Sequence, residues 1–236
     1  MRRAPGALAA SDAIADVLTG PLRPAVVIHR SGPAAYLRLD SGRIVALETG
    51  AGVELPISAT VEHLDGVEVG TELHLGAGRP ARWWSSEAPS CAPDERLARR
   101  LGGRLDRLDP PTDPHERALV GRSPLDGPAA LVGLGPGLTP AGDDLVAGAL
   151  VACRATGRHV DAERIADGID PERTTPISGA LLTEAGRGRA ARPLLALLDA
   201  LGGRGDLDAA LDRVLAVGAT SGRWLAEGVR RVLDPF

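Results

Sequence analysis

A chain of 236 residues, 44% apolar but only 2% aromatic, has room for one large domain or two small ones with cores of Leu, Val, Ala and Ile. All 27 basic residues are arginine, which excludes a Schiff-base lysine, a lysine general base and the lysine of a Walker A phosphate loop. A net charge of −4, a pI near 5.8 and the scarcity of stacking aromatics argue against nucleic acid as a partner.

The N-terminal stretch MRRAPGALAASDAIADVLTG faintly resembles a signal peptide, but Asp12 and Asp16 interrupt any apolar core. Residues 7–18 read instead as a short amphipathic leading helix. No glycine-free apolar run approaches the ~20 residues of a membrane span, so the expectation is a soluble cytoplasmic protein without membrane contact.

Next come short segments rich in Val, Ile and Leu: PAVVIHR (24–30), AAYLRLD (34–40) and RIVALE (43–48), separated by turn residues. Asp40-Ser41-Gly42 signals a hairpin, and further strands are predicted near 59–63, 71–75 and 81–84. This close spacing predicts a small antiparallel sheet or barrel. His29, His63 and His74 fall at strand spacing and read as surface or core residues rather than catalysts. Trp83 and Trp84 suit a contact surface or a seam between two parts.

The stretch SSEAPSCAPDE (85–95) reads as a linker, after which the apolar period becomes helical in DERLARRLGGRLDRL (94–108). Helices are predicted over 141–156, 176–187, 193–201, 207–217 and 221–233, with breaks at Gly or Pro. His115 is placed before a helix and His159 in a turn, and Arg230 and Arg231 on a solvated helix face. Cys91 and Cys153 are too few and too distant for a disulfide framework or zinc site, and read as small buried residues. The fold class is therefore α+β: a β-rich domain over 1–88, then a helical domain over 89–236.

The chemistry concentrates in LVGLGPGLTPAGDD, residues 131–144. Thr139 is the predicted N-cap and Pro140 the first helical residue, with Asp143 and Asp144 in the first turn, where acids offset the helix dipole. The loop admits two readings. One is a well-capped buried helix with glycines where neighbours crowd it. The other is an anion site, in which Gly133, Gly135, Gly137 and Gly142 free backbone amides to face a phosphate or carboxylate. Its spacing is neither GxGxxG nor a P-loop. Two acids beside an anion suggest Mg²⁺, with Asp143 as its ligand and Asp144 as an outer partner; the alternative is that both merely offset the dipole. Two other helix starts look similar: Arg173-Thr174-Thr175-Pro176-Ile177-Ser178, and Gly218-Ala219-Thr220-Ser221-Gly222-Arg223. The three are expected to converge on one pocket for a small anion, with Arg173 or Arg223 supplying charge.

These same elements resemble the AllH-like family of oxamate carbamoyltransferase subunits, from about Leu131 to Leu233. The resemblance implies a part in carbamoyl transfer between carbamoyl phosphate and oxamate or oxalurate, in allantoin (purine) catabolism, alongside partner subunits. It carries substrate binding to Gly133, Gly135, Gly137, Thr139 and Gly142, to Thr174, Thr175 and Ser178, and to Gly218, Ser221 and Gly222. Asp143 and Asp144 take the catalytic positions. A non-catalytic anion-binding or scaffolding subunit is the alternative. The family's last element often reads GHSSGTD; Ala219 and Trp224 stand here in place of its histidine and acid, so the histidine's role does not carry over.

Overall fold

The computed structural model describes residues 2–233, and the chain divides into two compact units between Ser86 and Glu87. The first is built on a seven-stranded sheet: β1 (Ala7–Ser11), β2 (Arg23–Arg30), β3 (Ala34–Leu39), β4 (Ile44–Glu48), β5 (Ser58–Val61), β6 (Glu72–Leu75) and β7 (Arg82–Trp84). Its spatial order is β6-β2-β3-β4-β5-β1-β7. The hairpin at Asp40-Ser41-Gly42 joins antiparallel β3 and β4. The sheet is mixed rather than antiparallel throughout, because β4 pairs parallel to β5 and β1 parallel to β7.

Alternation along the strands sends Ala25, Val27, Leu37, Val45, Leu47, Ala59, Leu73 and Leu75 into one core. Trp84 is buried in this unit, and Trp83 packs against the same core. Between β4 and β5 the chain wraps around buried Glu48, whose carboxylate accepts the Glu54 N–H at 2.9 Å. Burial pushes that carboxyl above its usual range, against the Ser58 hydroxyl and the amides of Glu54, Leu55 and Val53.

The predicted helix over 7–18 is a strand in its first half. β1 lies between β5 and β7, so pairing on both sides outweighs the helical propensity of its alanines. The chain turns helical only after Ser11, whose hydroxyl accepts the Ala13 N–H and leads through a 3₁₀ turn into α1 (Ala15–Thr19).

The second unit is helical: α2 (Glu95–Leu105), α3 (Pro114–Leu119), α4 (Ala141–Ala155), α5 (His159–Asp167), α6 (Pro176–Gly186), α7 (Arg192–Leu201), α8 (Leu207–Leu215) and α9 (Ser221–Leu233). His115 lies inside α3 and His159 opens α5, an unpredicted helix that has no side-chain cap at its N-cap, Arg158. At the centre is α4, buried at every position except Arg154, as expected of a helix apolar on all sides. It packs most extensively on α9, and glycines allow the approach. A Cβ on Gly148 would lie 2.1 Å from the Leu225 carbonyl oxygen, and one on Gly228 would lie 2.2 Å from that of Leu145.

Arg230 and Arg231 do not form a solvated face. Their side chains are 17% and 22% exposed and pair with Glu227, and Arg230 also reaches Asp106 at 3.0 Å. Both cysteines are buried, with the Cys91 thiol on the Leu198 carbonyl and the Cys153 thiol pushed up to about 11 by burial. No helix among the described residues is long and apolar enough to cross a membrane.

Gly148→Val forces α4 and α9 apart against backbone. The expected cost is at least about 3 kcal/mol, the upper range for overpacking, read as a lowered midpoint in urea unfolding.

Candidate functional site

The glycine-rich loop turns between buried Leu131 and Val132 and the start of α4. Gly133 adopts φ +78°, and a Cβ there would stand 2.0 Å from the Arg173 carbonyl oxygen. Glycine is required because the chain itself crosses here. The Gly133 N–H donates to Asp143 Oδ1 at 2.7 Å. Leu134 N–H donates to the Leu131 carbonyl, Gly142 N–H to that of Leu134, and the amides of Asp143 and Asp144 to that of Pro140. Of the four glycine amides expected to face a ligand, those of Gly133 and Gly142 therefore bind protein oxygens. Among the described residues, the Gly135 and Gly137 amides have no protein acceptor.

Thr139 is not the N-cap of α4. Pro140 occupies that position in an extended conformation (φ −53°, ψ 142°), and the Thr139 hydroxyl instead meets Ser221 Oγ at 3.0 Å. At α6 the Thr-Pro expectation holds: Thr175 is the N-cap, its hydroxyl accepting the Ser178 N–H at 3.0 Å and donating to the Leu138 carbonyl at 2.5 Å.

The paired acids diverge. Asp143 is 1% exposed; besides the Gly133 amide on Oδ1, its Oδ2 accepts the Ser178 hydroxyl at 2.6 Å and the Thr174 hydroxyl. It pins the loop, α4 and α6 together. Asp144 is 7% exposed, and among the described residues its Oδ2 has no hydrogen-bond partner. Burial is the main cause that raises its carboxyl to about 8. The Asp143 charge adds to the rise, while hydrogen bonding from Ser221 and, more weakly, Thr139 lowers it. At neutral pH Asp144 is mostly the uncharged acid.

The structure thus joins Thr139, Asp144 and Ser221 on one side, and Gly133, Asp143, Thr174, Thr175 and Ser178 on the other, through adjacent residues of α4. Gly142 and Gly222 lie tight against the carbonyls of Leu131 and Val214, while Gly218 has φ +60° in an exposed turn. The arginines do not supply the expected charge. Arg173 is exposed and donates to the Ala129 carbonyl at 2.6 Å, and Arg223 donates to the Asp109 carbonyl with its guanidinium 5.7 Å from the Trp224 ring centre. Ala219 is exposed, and Trp224 is buried in the helical core.

Magnesium at Asp143 does not fit this donor set. Both Asp143 oxygens already accept protein donors, and Mg²⁺ needs an octahedral set of oxygens. Among the described residues no three His, Cys, Asp or Glu side chains gather into a metal-binding group. The role of Asp143 as a pin went unread in the sequence, although an acid inside an apolar helix must find internal donors. Thr174 and Ser178, on either side of the Thr175 cap, were the available signal.

Asp143→Ala leaves three donors facing a void. The expected loss is about 3–5 kcal/mol in urea unfolding, with Asp143→Asn losing less because its amide oxygen still accepts. Asp144 carries the opposite linkage from a salt-bridged acid. Its folded value lies above the unfolded ~3.9, so the stability it contributes is complete below about pH 4 and is lost as pH rises through about 8. Asp144→Asn removes that dependence, so its stability relative to the parent should grow between pH 5 and pH 8.5, by about 5 kcal/mol at most.

No curated protein and no solved structure shows a significant match to this chain. A family model described as oxamate carbamoyltransferase subunit AllH matches residues 131–233, from the first residue of the glycine-rich loop to the last residue of α9. Over that span the chain is AllH-like.

Proposed function

We propose that the chain is a subunit of a carbamoyltransferase-type enzyme, binding a small anionic substrate where the glycine-rich loop meets the starts of α4, α6 and α9. The observation that carries this reading is the contact between Thr139 and Ser221, 82 residues apart in sequence, directly beside the unsatisfied carboxyl of Asp144. In the loop that leads to α4, the Gly135 and Gly137 amides have no protein acceptor among the described residues, and with the positive end of the α4 dipole they are donors suited to phosphate or carboxylate oxygens. Thr174, Thr175 and Ser178 support the site by fixing α6 against the loop. Carbamoyl phosphate with oxamate, or oxalurate with phosphate, are small anions of the class such donors take. Catalysis would rest on orientation and electrostatic stabilisation, with Asp144 facing the substrate and Asp143 positioning the site. Other protein subunits complete the enzyme.

A second reading, an anion-binding or scaffolding subunit without chemistry of its own, is favoured by one observation. Trp224 is locked in the core and Ala219 carries no functional group where the family pattern has an acid and a histidine.

Thermal unfolding with millimolar carbamoyl phosphate, oxamate or inorganic phosphate tests the site. Binding at 100 times Kd stabilises by about 2.7 kcal/mol, so a rise of several degrees is expected. Thr139→Ala/Ser221→Ala should reduce it, and no shift with any of the three rejects the proposal. Transfer assays with co-purified subunits separate the readings: turnover lost in Thr139→Ala/Ser221→Ala marks an enzymatic subunit, whereas turnover unchanged in that variant marks a scaffold.

A further inference from the structure

We propose that Asp144 is the proton-transfer group of this site, its Oδ2 accepting the proton that an amide nitrogen loses on bonding to a carbamoyl carbon. The inference rests on the carbamoyl-transfer reading above and assigns it a residue and a proton path. As the nitrogen–carbon bond forms, the carbon–oxygen bond to phosphate breaks and its electron pair leaves with the phosphate oxygen. The proton passes from nitrogen to Oδ2 and then to the departing phosphate. In reverse, phosphate attacks the carbamoyl carbon and Asp144 hands its proton to the leaving nitrogen. An amide nitrogen is a poor nucleophile until its proton is removed, so a placed base matters more here than for an amine.

The geometry singles out Asp144. Its Oδ2 is a buried oxygen without a partner among the described residues, a desolvation cost that a ligand N–H would relieve. Asp143, the adjacent carboxylate, has both oxygens taken. The Thr139–Ser221 hydroxyl pair reaches Asp144 and can hold its carboxyl in one orientation.

The surrounding charges suit the role. Among the described residues, Asp143 is the charged group that shifts Asp144. From the neighbouring helices, Glu227 of α9 is held by Arg230 and Arg231, and Arg223 lies on the Asp109 carbonyl. Glu184 of α6 is held by Arg187 and Arg189. His115, Glu116 and Arg117 of α3, Asp161, Glu163 and Arg164 of α5 and Arg192 and Asp199 of α7 do not act on it. Among the described residues no cation pairs with Asp144. The raised carboxyl, at about 8, makes it a better base than a free aspartate and an acid that holds its proton at neutral pH.

The test uses the full chain with its co-purified partner subunits, assayed in both directions across pH 6–10. For the parent, carbamoylation of oxamate should rise with pH and level off beyond a limb near 8, and phosphorolysis of oxalurate should fall across the same limb. Asp144→Asn should lower kcat by about 100-fold or more with KM little changed, and lose the limb. Asp144→Glu should restore part of kcat and a displaced limb, which a purely structural role would not produce. The thermal shift with carbamoyl phosphate should persist in Asp144→Asn. A parent profile without a limb in either direction overturns the inference without any variant, and so does an Asp144→Asn profile that keeps the limb within 10-fold of parental kcat. In both cases the carbamoyl-transfer reading survives. A parent that neither binds carbamoyl phosphate nor turns over with its partners removes that reading, and the inference with it.

Discussion

The helical unit depends on burying α4 on all sides while two carboxyls stand at its head. A central helix enclosed by α9, α6, α5 and α3 buries Asp143 and Asp144 almost completely. Charge burial of this kind is tolerated only with donors or with a proton. The two acids take one solution each. Asp143 recruits an amide and two hydroxyls from segments ten to thirty-five residues away, and Asp144 is held uncharged. One carboxyl therefore stabilises the architecture and its neighbour is left with unused hydrogen-bonding capacity.

The same enclosure explains the glycines. At Gly133, Gly142 and Gly222 the object approaching the backbone is another carbonyl of this chain. Gly148 and Gly228 do the same for the α4–α9 crossing. The loop's composition is thus mainly a consequence of close internal packing, and only the amides of Gly135 and Gly137 remain for an outside ligand. The anion site proposed here thereby narrows from a full glycine cradle to two amides, two hydroxyls and one carboxyl. Such a group suits a ligand of few atoms better than a nucleotide.

The family match covers the helical unit from the loop onward and does not extend to the sheet. Within the match, Ala219 and Trp224 stand where the pattern of the resembled family has a histidine and an acid. An exposed alanine removes a functional group without disturbing packing, and a buried tryptophan fills core volume where an acid would need a partner.

Period and punctuation in the sequence determined the α+β class, six of the seven strands, most of the helices and the Thr175 cap, because these follow from local burial patterns and backbone preferences. It also marked the three helix starts that belong together. Only the tertiary structure decided that residues 7–11 form a strand, since two-sided pairing is a long-range contact that alanine neither favours nor forbids. Likewise, only the fold separated the roles of Asp143 and Asp144. Adjacent residues on a helix point about 100° apart, so identical side chains met different neighbours, and those neighbours came from distant parts of the chain.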